Sequence, residues 1–393
     1  MDLRALVLVE GVAPNGNAPE RGSIAGVPFA LLDVLGATVL ERVTQRLRAA
    51  GVSQISVVSS VGPEAKTGLE QACFAARVES IETTEAELWS SADEAFDKCR
   101  EAGAELVVVL RLGAYADIDF EEVIQHHIDK RCRMTSAVDA KGRPLEVFLL
   151  EAARRGDASA LFGSRFQRVR DDCERFQVKG YVNFLETVAD FRCLALDGLL
   201  EKNGIRPVAT EIKPGVWVGE RARIHRNARI LAPAFIGARA KIRAASLVTR
   251  NSVIEHHAEI DCGTVVENST VLPFTYVGAG LDVMHSVVGF RRVFHLPRNV
   301  GVEISDAKLV GSSPANAVSR TLGSAVALFA VLPQQIYRGF FGRVRKTRPV
   351  ELPESLDAPA ATLGTPDVNE TTSGPEVGEF PSSFVVARRY GEH

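Results

Sequence analysis

Two grammars of apolar positions divide this chain. Through residues 1–207, short apolar runs alternate with amphipathic stretches. Ala5–Val9, Ile55–Val58 and Leu106–Leu110 read as buried strands. Thr38–Ala50 reads as a helix, with Val39, Leu40, Val43 and Leu47 on one face and Gly51 as its stop. Glu85–Ala102, stopped by Gly103, and Asp119–Lys130, capped near Asp117–Asp119, read as two more helices. This alternation predicts a parallel α/β sheet with helices on both faces.

From about residue 212 the period changes to six. Val218, Ile224, Ile230, Ile236, Ile242, Val248, Ile254, Ile260, Val266 and Leu272 stand six apart, and all are aliphatic. Four residues after each comes Ala222, Ala228, Ala234, Ala240, Ser246, Ser252, Ala258, Thr264, Thr270 and Tyr276, small in every case but the last. A fixed hexapeptide period is the mark of a parallel β-helix. Each repeat gives one short strand and a tight corner, and stacking buries an aliphatic column that no repeat could bury alone. The phase is expected to hold to Tyr276 and then slip, with irregular strands continuing to about residue 311. Gly289–Asn299, which holds Arg291, Arg292, His295 and Arg298, reads as a protruding loop.

Residues 312–346 read as an apolar helix with a basic, aromatic end, and 322–346 could contact a membrane surface. Residues 347–393 are rich in Pro, Thr, Ser, Asp and Glu, the composition of a disordered tail, with a short apolar return from Phe380. The expected organisation is thus an α/β domain over 1–207, a β-helix over 208–311, the helix and the tail.

Composition narrows the function classes. The chain has 393 residues, 46% of them hydrophobic, and a net charge of −3. Such a balance supports a sizeable core and argues against a dedicated nucleic-acid binder. The six cysteines are scattered with no C-x-x-C pair, so buried reduced thiols are expected rather than a disulfide framework or zinc site. No signal-peptide pattern opens the chain, and its longest apolar run, Leu322–Leu332, is short of a membrane span. A cytoplasmic protein is the expectation, with the 312–346 helix packed on its own strands or a neighbouring subunit and membrane contact as the secondary reading.

The layout and several segments resemble the sugar-phosphate nucleotidyltransferases, the NDP-sugar pyrophosphorylase family. The resemblance covers roughly residues 3–310. LVLVEG ending at Gly11 is similar to the family's first strand. Pro28, Leu31, Leu32, Val34 and Gly36 are similar to the segment that follows its glycine loop, and Thr38–Ala50 to its first helix. VVVLRLG ending at Gly113 resembles the strand that carries the family's Gly-Asp, and Gly180–Leu200 resembles the segment leading into its β-helix. The resemblance implies a Rossmann-like nucleotidyltransferase domain followed by a left-handed parallel β-helix.

It also implies groups that this sequence lacks. Attack of a sugar phosphate on the α-phosphorus of a nucleotide needs backbone donors, cations and Mg²⁺-holding carboxylates. The loop after Gly11 reads VAPNGNAPERG, without the family's G-x-G-T-R core. Its lysine falls at Phe29 and its two metal aspartates fall at Ala114 and Phe184; Asp117 and Asp119 read as a helix N-terminus. Gly11, Gly16, Asn17, Arg21 and Gly22 remain as a candidate cradle for a nucleotide or sugar phosphate.

The expected function is a catalytically degenerate scaffold or regulator in sugar-nucleotide or polysaccharide synthesis. It would be a homo-oligomer with no catalytic residue, metal or cofactor. The alternative is an active, divergent nucleotidyltransferase using Mg²⁺ and a nucleoside triphosphate. A third reading is hexapeptide acyl transfer, whose family histidine falls at Pro273. His225, His256, His257, His285 and His295 remain, with His256 and His257 expected on a solvated face.

Overall fold

The computed structural model describes residues 2–11, 22–152 and 173–313. The apolar-basic helix, the tail and the membrane contact expected at 322–346 lie outside the described residues, as do Gly16, Asn17 and Arg21.

The N-terminal half is built on a seven-stranded sheet. Its strands are β1 (Leu3–Val9), β2 (Gln54–Ser59), β3 (Glu79–Glu82), β4 (Leu106–Arg111), β5 (Met134–Val138), β6 (Pro144–Glu151) and β7 (Cys173–Gln177). Their order is β7-β5-β6-β4-β1-β2-β3. Strands β1, β2 and β4 run parallel, as the sequence predicts, and β3, which the apolar pattern does not show, runs parallel to β2. Strand β6 runs antiparallel to both β4 and β5, so the sheet is mixed rather than wholly parallel. The cause is local. The Asp139 carboxylate accepts from the backbone N–H groups of Lys141 and Arg143, and Gly142 takes a positive φ of 80°. That closes a tight turn, which returns the chain beside the strand it has just left.

Helices cover both faces. Helix α1 (Val39–Ala49) starts with a capping box between Thr38 and Glu41 and buries Val39, Leu40, Val43 and Leu47. Helix α2 (Pro63–Ala76) was not evident from the apolar pattern, being largely small and polar. Helix α3 (Leu88–Glu101) packs Leu88, Ala92 and Phe96 with Leu6, Leu8 and Val107 on the opposite face. Helix α4 (Phe120–Lys130) is N-capped by Asp119, as expected. Asp117 has a different role: it pairs with Arg46 at 2.5 Å. Helix α5 (Val188–Leu199) has a second capping box, between Thr187 and Asp190.

The C-terminal half stacks parallel strands into three sheets that the chain visits in turn. The first contains Val216–Val218, Ala234–Ile236, Ser252–Ile254, Thr270–Val271 and Ser286–Gly289. The second contains Arg223–Ile224, Lys241–Ile242, Glu259–Ile260 and Thr275–Val277. The third contains Arg229–Ile230, Leu247–Thr249, Val265–Glu267 and Asp282–Met284. Ile236, Ile242, Val248, Ile254, Ile260 and Val266 form one buried cluster, as the comb predicts. The slip comes earlier than expected. Val253 pairs with Thr270, one residue short of the 18-residue rung set by Phe235 beside Val253. Val271 therefore fills the interior, and Leu272 points outward into the α/β core.

Gly289–Asn299 is not a protruding loop. Arg292–His295 pairs antiparallel with Ser286–Gly289, and Val300–Glu303 pairs with it in turn, so the segment extends the first sheet. Phe294 is buried there. The two halves share one core: Phe235, Val253, Leu272, Val287 and Phe294, on the outer side of the first sheet, cluster with α/β residues such as Leu35 and Phe191. Cys73 and Cys99 are buried thiols, but Cys193 and Cys262 are exposed, which corrects the expectation of uniformly buried cysteines. Among the described residues, no helix is long and apolar enough to cross a membrane.

Candidate functional site

Parallel strands of an α/β sheet present their C-terminal ends to a common crevice, where ligands bind in such folds. Here β1 leads into Glu10 and β4 into Leu112–Ala114. With Phe29, Arg111, Arg143 and Phe184 these residues line a cavity of about 410 Å³; Gly11 is not among its lining residues. The structure thus brings together the separate segments singled out in the sequence: Gly22, Phe29, Ala114 and Phe184 all line this one space.

Among the described residues, apolar side chains stand at Phe29, Ala114 and Phe184. Phe29 is buried and stacks on Phe191 of α5, with ring centroids 5.6 Å apart. Phe184 lies under the Arg143 guanidinium, 3.6 Å from ring centre to cation. Ala114 offers no donor atom. The cleft's three carboxylates each face an arginine: Glu10 pairs with Arg111, Glu186 with Arg143, and Glu146 lies 4.0 Å from Arg111. Among the described residues no group of three His, Cys, Asp or Glu side chains is placed to hold a metal ion. A Mg²⁺ ion does not fit this set, because each carboxylate already has a cation beside it.

The two described glycines of the candidate cradle have structural reasons to be glycine. A Cβ on Gly11 would come within 2.4 Å of the Ser60 carbonyl oxygen. Gly11 N–H donates to the Ser60 hydroxyl at 3.2 Å. Gly22 takes a φ of 70°, donates to the Glu186 carbonyl and accepts from Phe29 N–H.

A second cavity, of about 370 Å³, lies between the α/β half and the strand stack. Asp33, Thr38, Glu41, His256 and Phe274 are among its lining residues. His256 Nδ1 pairs with Asp33 Oδ2 across this boundary. Its neighbour Glu255 is fully buried and accepts from Leu35 N–H at 2.8 Å and Gly36 N–H at 3.0 Å. Burial and the Asp33 charge push the Glu255 carboxyl up to about 8, against the lowering pull of His256 and the two N–H donors. Burial lowers the pKa of His256, but Asp33 outweighs it and holds the imidazolium above its ordinary range. His257 stacks on Phe274 at 4.9 Å, and burial with the neighbouring His256 lowers it to about 4.

Both histidines are half-buried rather than fully solvated. The corner they occupy is covered by the loop at residues 33–36, about 220 positions earlier in the chain, and no local pattern announces that contact. A further tie joins the halves: the buried Arg192 of α5 donates to the Asn251 carbonyl and to Asn268 Oδ1 at 3.1 Å. Of the other histidines, His225 caps the backbone N–H of Asn227 and His285 bonds Asn268, both local contacts.

Comparison with protein-family models and with curated proteins gives no match to either.

Proposed function

We propose that this chain is a nucleotidyltransferase-like protein that has lost metal-assisted phosphoryl transfer. It would serve as a structural or regulatory partner in sugar-nucleotide or polysaccharide synthesis, and its hexapeptide strands would form a left-handed β-helix. One observation carries the reading: a crevice remains at the ends of β1 and β4, but Phe29, Ala114 and Phe184 line it and arginines pair its carboxylates. Phosphoryl transfer rests on positioning and charge stabilisation. Among the described residues the crevice's cations are engaged by its own carboxylates, which argues against a metal site there.

The test is pyrophosphate release from each common nucleoside triphosphate with sugar 1-phosphates and Mg²⁺. The expected result is no release above the enzyme-free rate. Sustained release with any pair would establish the alternative, an active divergent nucleotidyltransferase. Calorimetric titration with the same compounds reports residual binding by the cradle around Gly11 and Gly22.

Acyl transfer has one observation in its favour, the His256–Asp33 pair at the second cavity, since a carboxylate-oriented imidazole is the usual form of a general base. Acetyl-CoA-dependent thiol release that disappears in His256→Ala would favour this reading.

A further inference from the structure

The strand stack is strongly polarised along its axis. Between Lys213 and Arg250 the sequence holds nine Lys and Arg and a single acid, Glu220, in a chain of net charge −3. The third rung reverses the sign: Glu255, Glu259, Asp261 and Glu267 fall between residues 251 and 268, with no Lys or Arg among them. Five of the nine, Lys213, Arg221, Arg223, Arg226 and Arg229, stand in the first rung and its flanking strand, with Glu211 and Glu220 as the acids there, while Lys241 and Arg243 of the second rung pair with Glu259.

That end is also apolar at its centre. Val218, Ile224 and Ile230, the interior positions of the first rung, are only half-buried, whereas Ile236, Ile242 and Val248 of the next rung are buried. The end is bounded by three edge strands, Thr210–Lys213, Arg223–Ile224 and Arg229–Ile230. Around it stand exposed Arg223, Arg226 and Arg229, none with an ion-pair partner among the described residues. Leu231 and Ile212 beside them are 51% and 55% exposed. The α/β half packs on the first sheet, and Arg223 and Arg229 on the edges of the other two are exposed.

From this arrangement we infer that the first rung of the strand stack is a docking end for an anionic lipid surface. Charge complementarity selects an anionic partner, and the apolar centre selects a bilayer interface over a phosphate backbone. A nucleic acid would be better served by exposed aromatic rings, but Trp217 is partly buried against the shared core and Phe235 is fully buried. Size argues against a protein partner. A triangle with sides of six extended residues, about 20 Å each, covers only about 170 Å². A standard protein interface covers about 800 Å² on each side. Lipid binding needs no such area, because basic side chains near an anionic leaflet contribute one by one, about fivefold in partition each. Arginine on edge strands also discourages strand-to-strand aggregation, so the two roles must be separated by experiment. The inference is independent of whether the crevice at β1 and β4 is catalytic.

The test is sedimentation of the full chain with phosphatidylcholine vesicles, with and without about one-third phosphatidylglycerol, at about 0.1 M salt. The expected result is binding to the anionic vesicles only. The triple variant Arg223→Glu, Arg226→Glu, Arg229→Glu is expected to weaken it on the order of a hundredfold. Leu231→Asp is expected to weaken binding too, with the three arginines intact. All three proteins should keep the same unfolding midpoint, since every altered side chain is exposed. Binding unchanged in the triple variant would place the contact elsewhere in the chain and overturn the inference. So would equal binding to neutral vesicles, no binding at all, or loss of duplex DNA or RNA binding in the variants without any vesicle effect.

Discussion

Glu255→Ala is expected to lower stability by about 3–5 kcal/mol, measured by urea unfolding. The side chain is fully buried and satisfies two backbone N–H groups, those of Leu35 and Gly36. Its loss strands both donors at about 1–3 kcal/mol each and leaves a void beside them. The bond joins residues about 220 positions apart, so its loss is also expected to uncouple the halves. Trp89 in α3 reports on the α/β half and Trp217 on the strand stack. In single-tryptophan backgrounds, the two unfolding curves should coincide in the parent and separate in the variant. A change of midpoint worth less than about 0.5 kcal/mol would show that the boundary does not depend on this carboxylate.

The same group gives the protein a pH dependence of defined sign. The Glu255 pKa rises from 4.5 to about 8 on folding, so the folded state holds this proton more tightly than the unfolded chain does. Its stabilising contribution is complete below about pH 4.5 and is lost as pH rises toward about 8. His256, also raised, acts in the same direction. His257 opposes them: lowered to about 4, it contributes above its ordinary 6.5 and loses that contribution as pH falls. The clean measurement is the stability of the parent minus that of Glu255→Gln, in which His257 cancels. That difference should shrink by a few kcal/mol between pH 5 and 8. A flat difference would show that Glu255 does not titrate in this range.

Gly237→Ala is expected to cost about 3 kcal/mol, while Gly263→Ala should cost about 1 kcal/mol. A Cβ on Gly237 would lie 2.5 Å from His256 N and 2.7 Å from Glu255 C. Those are backbone atoms of the next rung, and Gly237 N–H is already bonded to the Ile254 carbonyl at 2.6 Å. The rungs can separate only by breaking that ladder. Gly263 is the control: its φ of 71° strains any other residue, but nothing lies within 4 Å of the added carbon. Equal costs from equilibrium unfolding would show that close packing between rungs is not what requires Gly237.

The sequence shows its structure wherever local pattern is the cause. The capping box at Thr38 and Glu41, the Asp119 cap and the aliphatic column from Ile236 to Val266 each follow from residues close together in the chain. Failures fall where the cause is short or distant. The Asp139 turn reverses β6 through two hydrogen bonds, too small a signal for an apolar pattern to carry. The slip at Leu272 comes from a single missing residue, which moves every later side chain to the other face.

By itself, then, the sequence determined the two architectures, since periods of alternation and of six fix which residues can be buried together. It also singled out segments that meet at the crevice. The tertiary structure decided what those segments do to one another. It brought Phe29, Ala114 and Phe184 to one space and set an arginine beside each carboxylate there. It also placed His256, expected on a solvated face, half-buried beside the fully buried Glu255 at the joint between the halves. Such pairings depend on docking across some 220 residues, where the free energy lies in matched burial and hydrogen bonding rather than in any local repeat.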